Sequence, residues 1–320
     1  MNSSSSYPQS EEEKELYFRS EMNNLQFRAL AYRLTQADIE NEILNNRYFQ
    51  RKVHLSHKYS KDEVQQWLKN SWNTEQVLAL NKNIINDSGQ SFCMQWAFPQ
   101  AYYAVYGSIM AMFKTVGFTE SSHTSVLKKY ASMIINNMLP ESIGICCDGI
   151  NGAYKFHNIV EPKIKTRSME LDLSDEITVD NHICRFLGAT RKLRLEDKKG
   201  DFKSKFRTKK GDYRKNFEKE HWQQVSDALG PTSIIDFLYR KRIKGNYEDI
   251  ETYSCKYFNG DSVLKNLVKV VDRINLVNET YIAKAIGYNK FEVIADAHIN
   301  KVDNPKLRKR LSITESILEA

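Results

Sequence analysis

From Ser91 to Phe113 the chain reads SFCMQWAFPQAYYAVYGSIMAMF, with no charged side chain, although 27% of all residues are charged. Lys114 and Gly117 end the run. At about 1.5 Å per residue, the part after Pro99 makes roughly five helical turns. Tyr102, Tyr106, Met110, Phe113 and Val116 follow the 3–4 residue spacing of one helical face. Ala101, Ala104, Ser108 and Ala111 fall on another face, where small side chains let a neighbouring helix come close. A helix that is apolar or small all round belongs in the middle of a packed bundle. A membrane span would need about 20 mostly apolar residues. Pro99, Gln95, Gln100 and three tyrosines interrupt this window, and no second such run exists. The stretch reads as a core helix.

The totals agree with a globular, mainly α protein. Residues are 41% apolar and 11% aromatic, enough for a sizeable core, while thirteen glycines and six prolines are few for an all-β chain. A length of 320 residues allows one large domain or two. The five cysteines are odd in number and form no C-x-x-C pair. With no signal-peptide pattern at the N-terminus, they read as reduced thiols of a cytoplasmic protein. No metal or cofactor is expected: H-E-x-x-H, Walker, dinucleotide and nucleophile-elbow patterns are missing, and Cys146–Cys147 lacks a matching pair.

Five segments follow from the patterning. Residues 1–13 are polar and low in complexity, a disordered tail. Residues 14–138 carry helical periodicity, with Ser60 and Glu63 forming a capping-box signature and 81–90 reading as a loop. Val64, Trp67, Leu68, Trp72, Val77, Leu78 and Leu80 are the inward positions before that loop. Ser121 or Ser122 caps the helix that follows Gly117. Residues 139–212 form a basic insert of mixed α/β character, with a small hairpin near SIGICCDGINGAYKF, projecting from the bundle. Residues 213–290 complete the bundle, with helix from Tyr213 to Leu229, a stop at Gly230–Pro231 and a restart at Thr232 or Ser233. Residues 291–320 are a less regular extension, in which LRKRL reads as a solvated helical turn.

The net charge of +7 comes from one place. Between Arg185 and Phe217 thirteen Lys/Arg face four Asp/Glu, so the rest of the chain is slightly acidic. Phe186, Phe202, Phe206, Tyr213 and Phe217 are interleaved with these charges. Cations neutralise phosphates and exposed aromatics stack on unpaired bases, so the segment points to nucleic acid. The contact residues expected are Arg191, Lys192, Arg194, Lys203, Lys205, Arg207, Lys209 and Lys210. The competing reading is a solvated insert whose aromatics pack on the bundle.

Two pieces together resemble a HEPN domain. The first is AYYAVYGSIMAMFKTVGFTESSHTSVLKKY, residues 101–130, similar to the HEPN helix pair in which a Tyr-Tyr-Ala helix ends in glycine and a Ser-His pair opens the next. The second is LYRKRIKGNYEDIETY, residues 238–253, similar to a basic helix with an Arg-x-x-x-(Asp/Asn)-Tyr element. The resemblance implies an up-and-down helical bundle, a homodimer, RNA as partner, and an antitoxin or regulatory protein as a second partner. It also implies a metal-independent endoribonuclease of a bacterial defence or toxin type, with Arg-x(4–6)-His at the dimer cleft. In such a site Arg stabilises charge growing on phosphate while His moves protons near neutral pH.

The corresponding position here departs from that motif. Arg240, Arg242, Asn246 and Tyr247 are present, but no histidine. Tyrosine, with a reference pKa of about 10, is a poor base at neutral pH. A second pair, Arg214 and His221, has the motif's spacing and follows the basic run. The same spacing recurs by chance at Arg47/His54 and Arg51/His57. His123, in the Ser-His pair, reads as a capping or packing residue. Two functions follow: a ribonuclease using Arg214/His221 or Arg240/Arg242/Tyr247, or a non-catalytic module that binds nucleic acid or protein.

Overall fold

A computed structural model describes residues 10–56, 59–88, 94–161, 169–207, 211–245 and 250–320. Helices dominate: α1 (Glu11–Gln36), α2 (Ile39–Asn45), α3 (Arg47–Lys52), α4 (Lys61–Ser88), α5 (Met94–Lys114) and α6 (His123–Ile135) precede a short sheet. The long helix α7 (Glu176–Phe202) and α8 (Lys219–Leu229) follow. Then come α9 (Ile234–Ile243), α10 (Ile250–Ser254), α11 (Gly260–Ile286), α12 (Tyr288–Ile299) and α13 (Pro305–Glu319). No described helix is long and apolar enough to cross a membrane.

Helix α5 is the central rod. It packs against α4, α11, α9 and α6, and the side chains of Tyr102, Val105, Ile109, Met110 and Phe113 are fully buried. Val116, two residues beyond the helix, is instead exposed, because the chain turns at Gly117 with φ 75°. Pro99 lies inside α5 and removes the bond to the carbonyl of Gln95. The end of α9 approaches that carbonyl: a Cβ at Gly245 would lie 2.9 Å from Gln95 O and 3.3 Å from Phe98 Cδ2. Aromatic contacts then tie four helices. Phe27 of α1 lies 5.6 Å from Phe98 and 5.3 Å from Phe237 of α9, which stacks at 4.1 Å on Phe186 of α7. Tyr102 and Ile274, from opposite halves of the chain, share this core.

The strands are few. β1 (Cys146–Ile150) pairs antiparallel with β2 (Ala153–His157), Ile150 opposite Ala153, so that Asn151–Gly152 makes the turn. The Asn-Gly dipeptide and Gly152 at φ 83° suit a two-residue hairpin. On its other edge β1 accepts β3 (Thr232–Ser233).

Several expectations need correction. The tail is shorter than residues 1–13: Ser10 Oγ accepts the Glu13 amide at 3.1 Å and caps α1, whose first turn is Glu11–Glu13. Residues 1–9 lie outside the described residues. Part of the loop placed at 81–90 is helix, because α4, capped by Ser60 as expected, runs on to Ser88. Val77 and Leu80 face solvent on that helix while Leu78 is buried. The helix expected from Tyr213 begins at Lys219.

The insert does not project. Its helix α7 packs on α1 and α9 and buries Phe186, Leu187 and Ile183. The C-terminal stretch is no irregular extension either. Phe291 and Leu307 are fully buried, and LRKRL lies inside α13 with Arg310 in the core.

Candidate phosphate-recognition site

The two family-like pieces meet. Ser122 Oγ caps α6 by accepting the Ser125 amide at 3.2 Å, which sets His123 as the helix's first residue. Tyr106 Oη donates to Ser121 O at 2.6 Å and holds this turn against α5. The hydroxyl of Tyr102, one turn earlier on α5, lies 2.8 Å from His123 Nδ1. From the other side, Ser233 and Asp236 form a capping box that starts α9. Asp236 also pairs with Arg194 of α7, so α9 is clamped between α5 and α7. It delivers Tyr239 and Arg242 to the same place.

An aromatic wall results. The imidazole of His123 lies 4.8 Å from Tyr106 and 5.5 Å from both Tyr102 and Tyr239, centroid to centroid. The Arg242 guanidinium sits 5.1 Å from the Tyr103 ring, 5.5 Å from Tyr239 and 5.8 Å from Tyr102. Such cation–π contacts hold a guanidinium without neutralising it. Arg242 Nε is buried with no hydrogen-bond partner among the described residues. Tyr103 is 39% exposed, so one ring of the wall faces solvent.

The electrostatics favour neutral rings beside one cation. Burial, reinforced by Tyr106 and Tyr239, pushes the Tyr102 hydroxyl far above the ordinary phenol range. Burial, and then the charge of Arg242, lowers the pKa of His123. At pH 7 His123 is therefore a neutral imidazole: one nitrogen is engaged by Tyr102, and the other has no protein partner among the described residues. A proton acceptor, a guanidinium and an open aromatic face share one site.

The other expected residues are placed differently. Arg240, two residues from Arg242, turns to the opposite flank of α9, where Nη1 donates to Thr190 Oγ1 at 3.3 Å. Asn246 and Tyr247 lie outside the described residues. Arg214 and His221 do come together, but on Glu218. Arg214 Nη1 donates to Glu218 Oε1 at 2.5 Å, and His221 Nδ1 accepts the Glu218 amide at 3.1 Å as part of the α8 capping box. Phe206 packs on the same imidazole at 4.5 Å.

Of the eight expected nucleic-acid contacts, Arg191 must be withdrawn. It is fully buried and donates to Gly149 O at 2.7 Å, Gly230 O at 2.8 Å and Ser226 Oγ at 2.8 Å. These bonds join α7 to the hairpin and to the end of α8. Arg194 is half-buried against Asp236. Lys192, Lys203, Lys205 and Arg207 are exposed, and Lys209 and Lys210 lie outside the described residues. Among the interleaved aromatics, Phe186 and Phe202 are buried and Phe206 and Phe217 half-buried, leaving Tyr213 open to solvent.

The sequence does not mark His123 and Tyr239 as partners. The Ser-His pair and the Tyr-Tyr-Ala helix are visible 21 residues apart, but the convergence of α9 on them is a tertiary event. Among the described residues, no three or more His, Cys, Asp or Glu side chains are grouped to hold a metal ion. Compared with known proteins, the chain matches no family model, no curated protein and no solved structure.

Proposed function

We propose that this protein binds RNA along the cationic side of α7 and carries out the metal-independent phosphodiester transesterification that the HEPN resemblance implies, but at the His123–Arg242 site rather than at an Arg-x(4–6)-His motif. One observation carries the reading: His123 and Arg242, remote in sequence, lie against the same three rings, Tyr102, Tyr103 and Tyr239. In this scheme a base stacks on Tyr103 and its phosphate is held by Arg242. His123 takes the 2′-hydroxyl proton, the 2′-oxygen attacks phosphorus, and Arg242 stabilises the added negative charge. The P–O5′ bond breaks and water protonates the leaving oxygen, giving a 2′,3′-cyclic phosphate and a 5′-hydroxyl end.

The test is cleavage of single-stranded RNA by the full chain in EDTA. His123→Ala should lower the rate by about 10²-fold or more, as loss of a general base does. Arg242→Ala should lower it by about 10²–10³-fold. His221→Ala should retain activity, because His221 serves the α8 cap. Salt-sensitive RNA binding with no cleavage assigns the site to a binding module instead. Loss of cleavage in His221→Ala but not in His123→Ala refutes this assignment.

A further inference from the structure

A cavity of about 290 Å³ opens where the C-terminal ends of α5 and α11 meet α3 and α6. Its interior is apolar. Met112, Phe113, Met133 and Ala285 are buried along it, and Met138 adds a third thioether. Methionine side chains are flexible and polarisable, so three around one space accept an apolar chain in varied shapes. The polar groups inside are already engaged: Thr115 Oγ1 donates to Met112 O at 2.7 Å and Tyr281 Oη to Met138 O at 2.9 Å. A polar ligand placed among them would lose water without recovering hydrogen bonds.

The rim has the opposite character. Lys52, at the end of α3, and Lys129, on α6, both line the cavity and are both exposed. Neither forms an ion pair or hydrogen bond among the described residues, and no Asp or Glu is among the described lining residues. Tyr48, four residues before Lys52 and on the same face of α3, lines it too. Its hydroxyl has no hydrogen-bond partner among the described residues. Val116, 65% exposed, carries the apolar lining out to solvent. Unpaired surface lysines are ordinary, but here two from different helices converge on one apolar opening. Two cations and a phenol donor above an apolar well suit an anion with an apolar tail.

We propose that this cavity binds a straight-chain fatty acid, its carboxylate held by Lys52, Lys129 and Tyr48 and its chain lying among the methionines. Ammonium and phenol groups both donate to a carboxylate, the first as a charge-assisted bond. A methylene group fills about as much space as a water molecule, about 30 Å³, so about nine or ten fill the cavity. Decanoate is therefore the matching length. The site is separate from the His123–Arg242 wall, because Met112 lies ten residues, about 15 Å, along α5 from Tyr102.

Isothermal titration of the full chain with octanoate, decanoate and decanol, each below the concentration at which it aggregates, tests this. Decanoate should bind at one site per chain and about tenfold more tightly than octanoate, since each buried methylene contributes about a factor of four. It should also bind at least tenfold more tightly than decanol. The Lys52→Ala/Lys129→Ala double variant should weaken decanoate tenfold or more and leave decanol within threefold. Ala285→Leu, which adds bulk to the lining, should weaken both ligands. Absence of decanoate binding overturns the proposal. Decanoate binding indifferent to the lysine pair, or no tighter than that of decanol, overturns it too, because the carboxylate is then not recognised. Decanoate binding unchanged in Ala285→Leu places the chain elsewhere and has the same force. The lysine variant alters only exposed side chains, so its result stands even where Ala285→Leu fails to fold. The titration reads binding alone and does not depend on whether the protein cleaves RNA.

Discussion

The Arg310 guanidinium meets the Glu75 carboxylate through two 2.8 Å bonds, Nη1 to Oε1 and Nη2 to Oε2, joining α13 to α4 in the core. Both side chains are almost wholly inaccessible. Glu279 accepts from Arg310 Nε at 2.8 Å and from Trp72 Nε1 at 2.8 Å, and the less buried Asp272 accepts from Arg310 Nη1 at 2.7 Å. Burial raises the pKa of Glu279, and the arginine opposes that rise. Removing the cation leaves two buried carboxylates facing each other. Arg310→Ala should therefore cost about 3–5 kcal/mol, read by urea denaturation. Replacing the triad together, with Arg310→Met, Glu75→Gln and Glu279→Gln, should recover most of that loss. A cost below about 1 kcal/mol for the single variant would show that α13 is not held by this charge cluster.

That cluster explains where reading the sequence succeeds and where it stops. The charge-free α5, the Ser60 and Ser122 caps, the Asn151–Gly152 hairpin and the break at Gly230 are local patterns, and each appears in the fold. Helices α7 and α13 break the pattern because polar residues share their inward faces with apolar ones: Asp180, His182, Thr190 and Arg191 on one, Arg310 and Thr314 on the other. Hydrophobic periodicity cannot see a buried face built from hydrogen bonds and ion pairs. The partners of Arg191 and Arg310 lie on distant segments, so their burial depends on tertiary pairing. The candidate site shares this fate. Tyr102 and His123 are visible as motif residues, whereas the arrival of Arg242 beside them is not.

Gly107 gives a test of how closely α4 and α5 approach. A Cβ there would lie 3.0 Å from Ser71 Cβ and 3.1 Å from both Ser71 Cα and Ser71 N. Ser71 cannot retreat freely, because its hydroxyl donates to Ala104 O at 2.6 Å across the same interface. Within a helix, Gly→Ala ordinarily gains up to about 1 kcal/mol. Overpacking of a tight core costs about 1–3 kcal/mol. The backbone contact makes the second term win, so Gly107→Ala should lower Tm while Gly200→Ala, with open space around its Cβ, should not. A Gly107→Ala protein more stable than the parent would mean that the helices can part at little cost.

The cations of α7 and the loop after it divide into two roles that salt separates. Arg191 donates to backbone oxygens and is shut off from solvent. Its replacement by Ala should destabilise the fold and leave the salt dependence of the proposed RNA binding unchanged. Lys192, Lys203, Lys205 and Arg207 are exposed. If each neutralises a phosphate, each alanine variant should reduce the slope of log K against log salt by about 0.7–0.9. Filter-binding titrations between 50 and 300 mM KCl would measure this. Four unchanged slopes would remove this side of α7 from the RNA path.

The pH response of the protein should centre on histidines that burial keeps neutral. His123, His182 and His298 all have lowered pKa values, with burial the leading cause in each. Above the unfolded value of about 6.5 neither state is protonated and the shift has no effect. As pH falls below that value the unfolded chain takes up protons first, so stability declines until the folded values are passed. NMR titration of the imidazoles should place all three below free histidine. For the proposed cleavage, kcat/KM should rise with pH along a limb set by His123 and lying below pH 6.5. Arg242 is the second cause of the His123 shift, so Arg242→Gln should move that limb toward higher pH as well as lowering its plateau. A merely structural arginine would lower the plateau and leave the limb where it was, which makes the displacement of the limb the decisive reading.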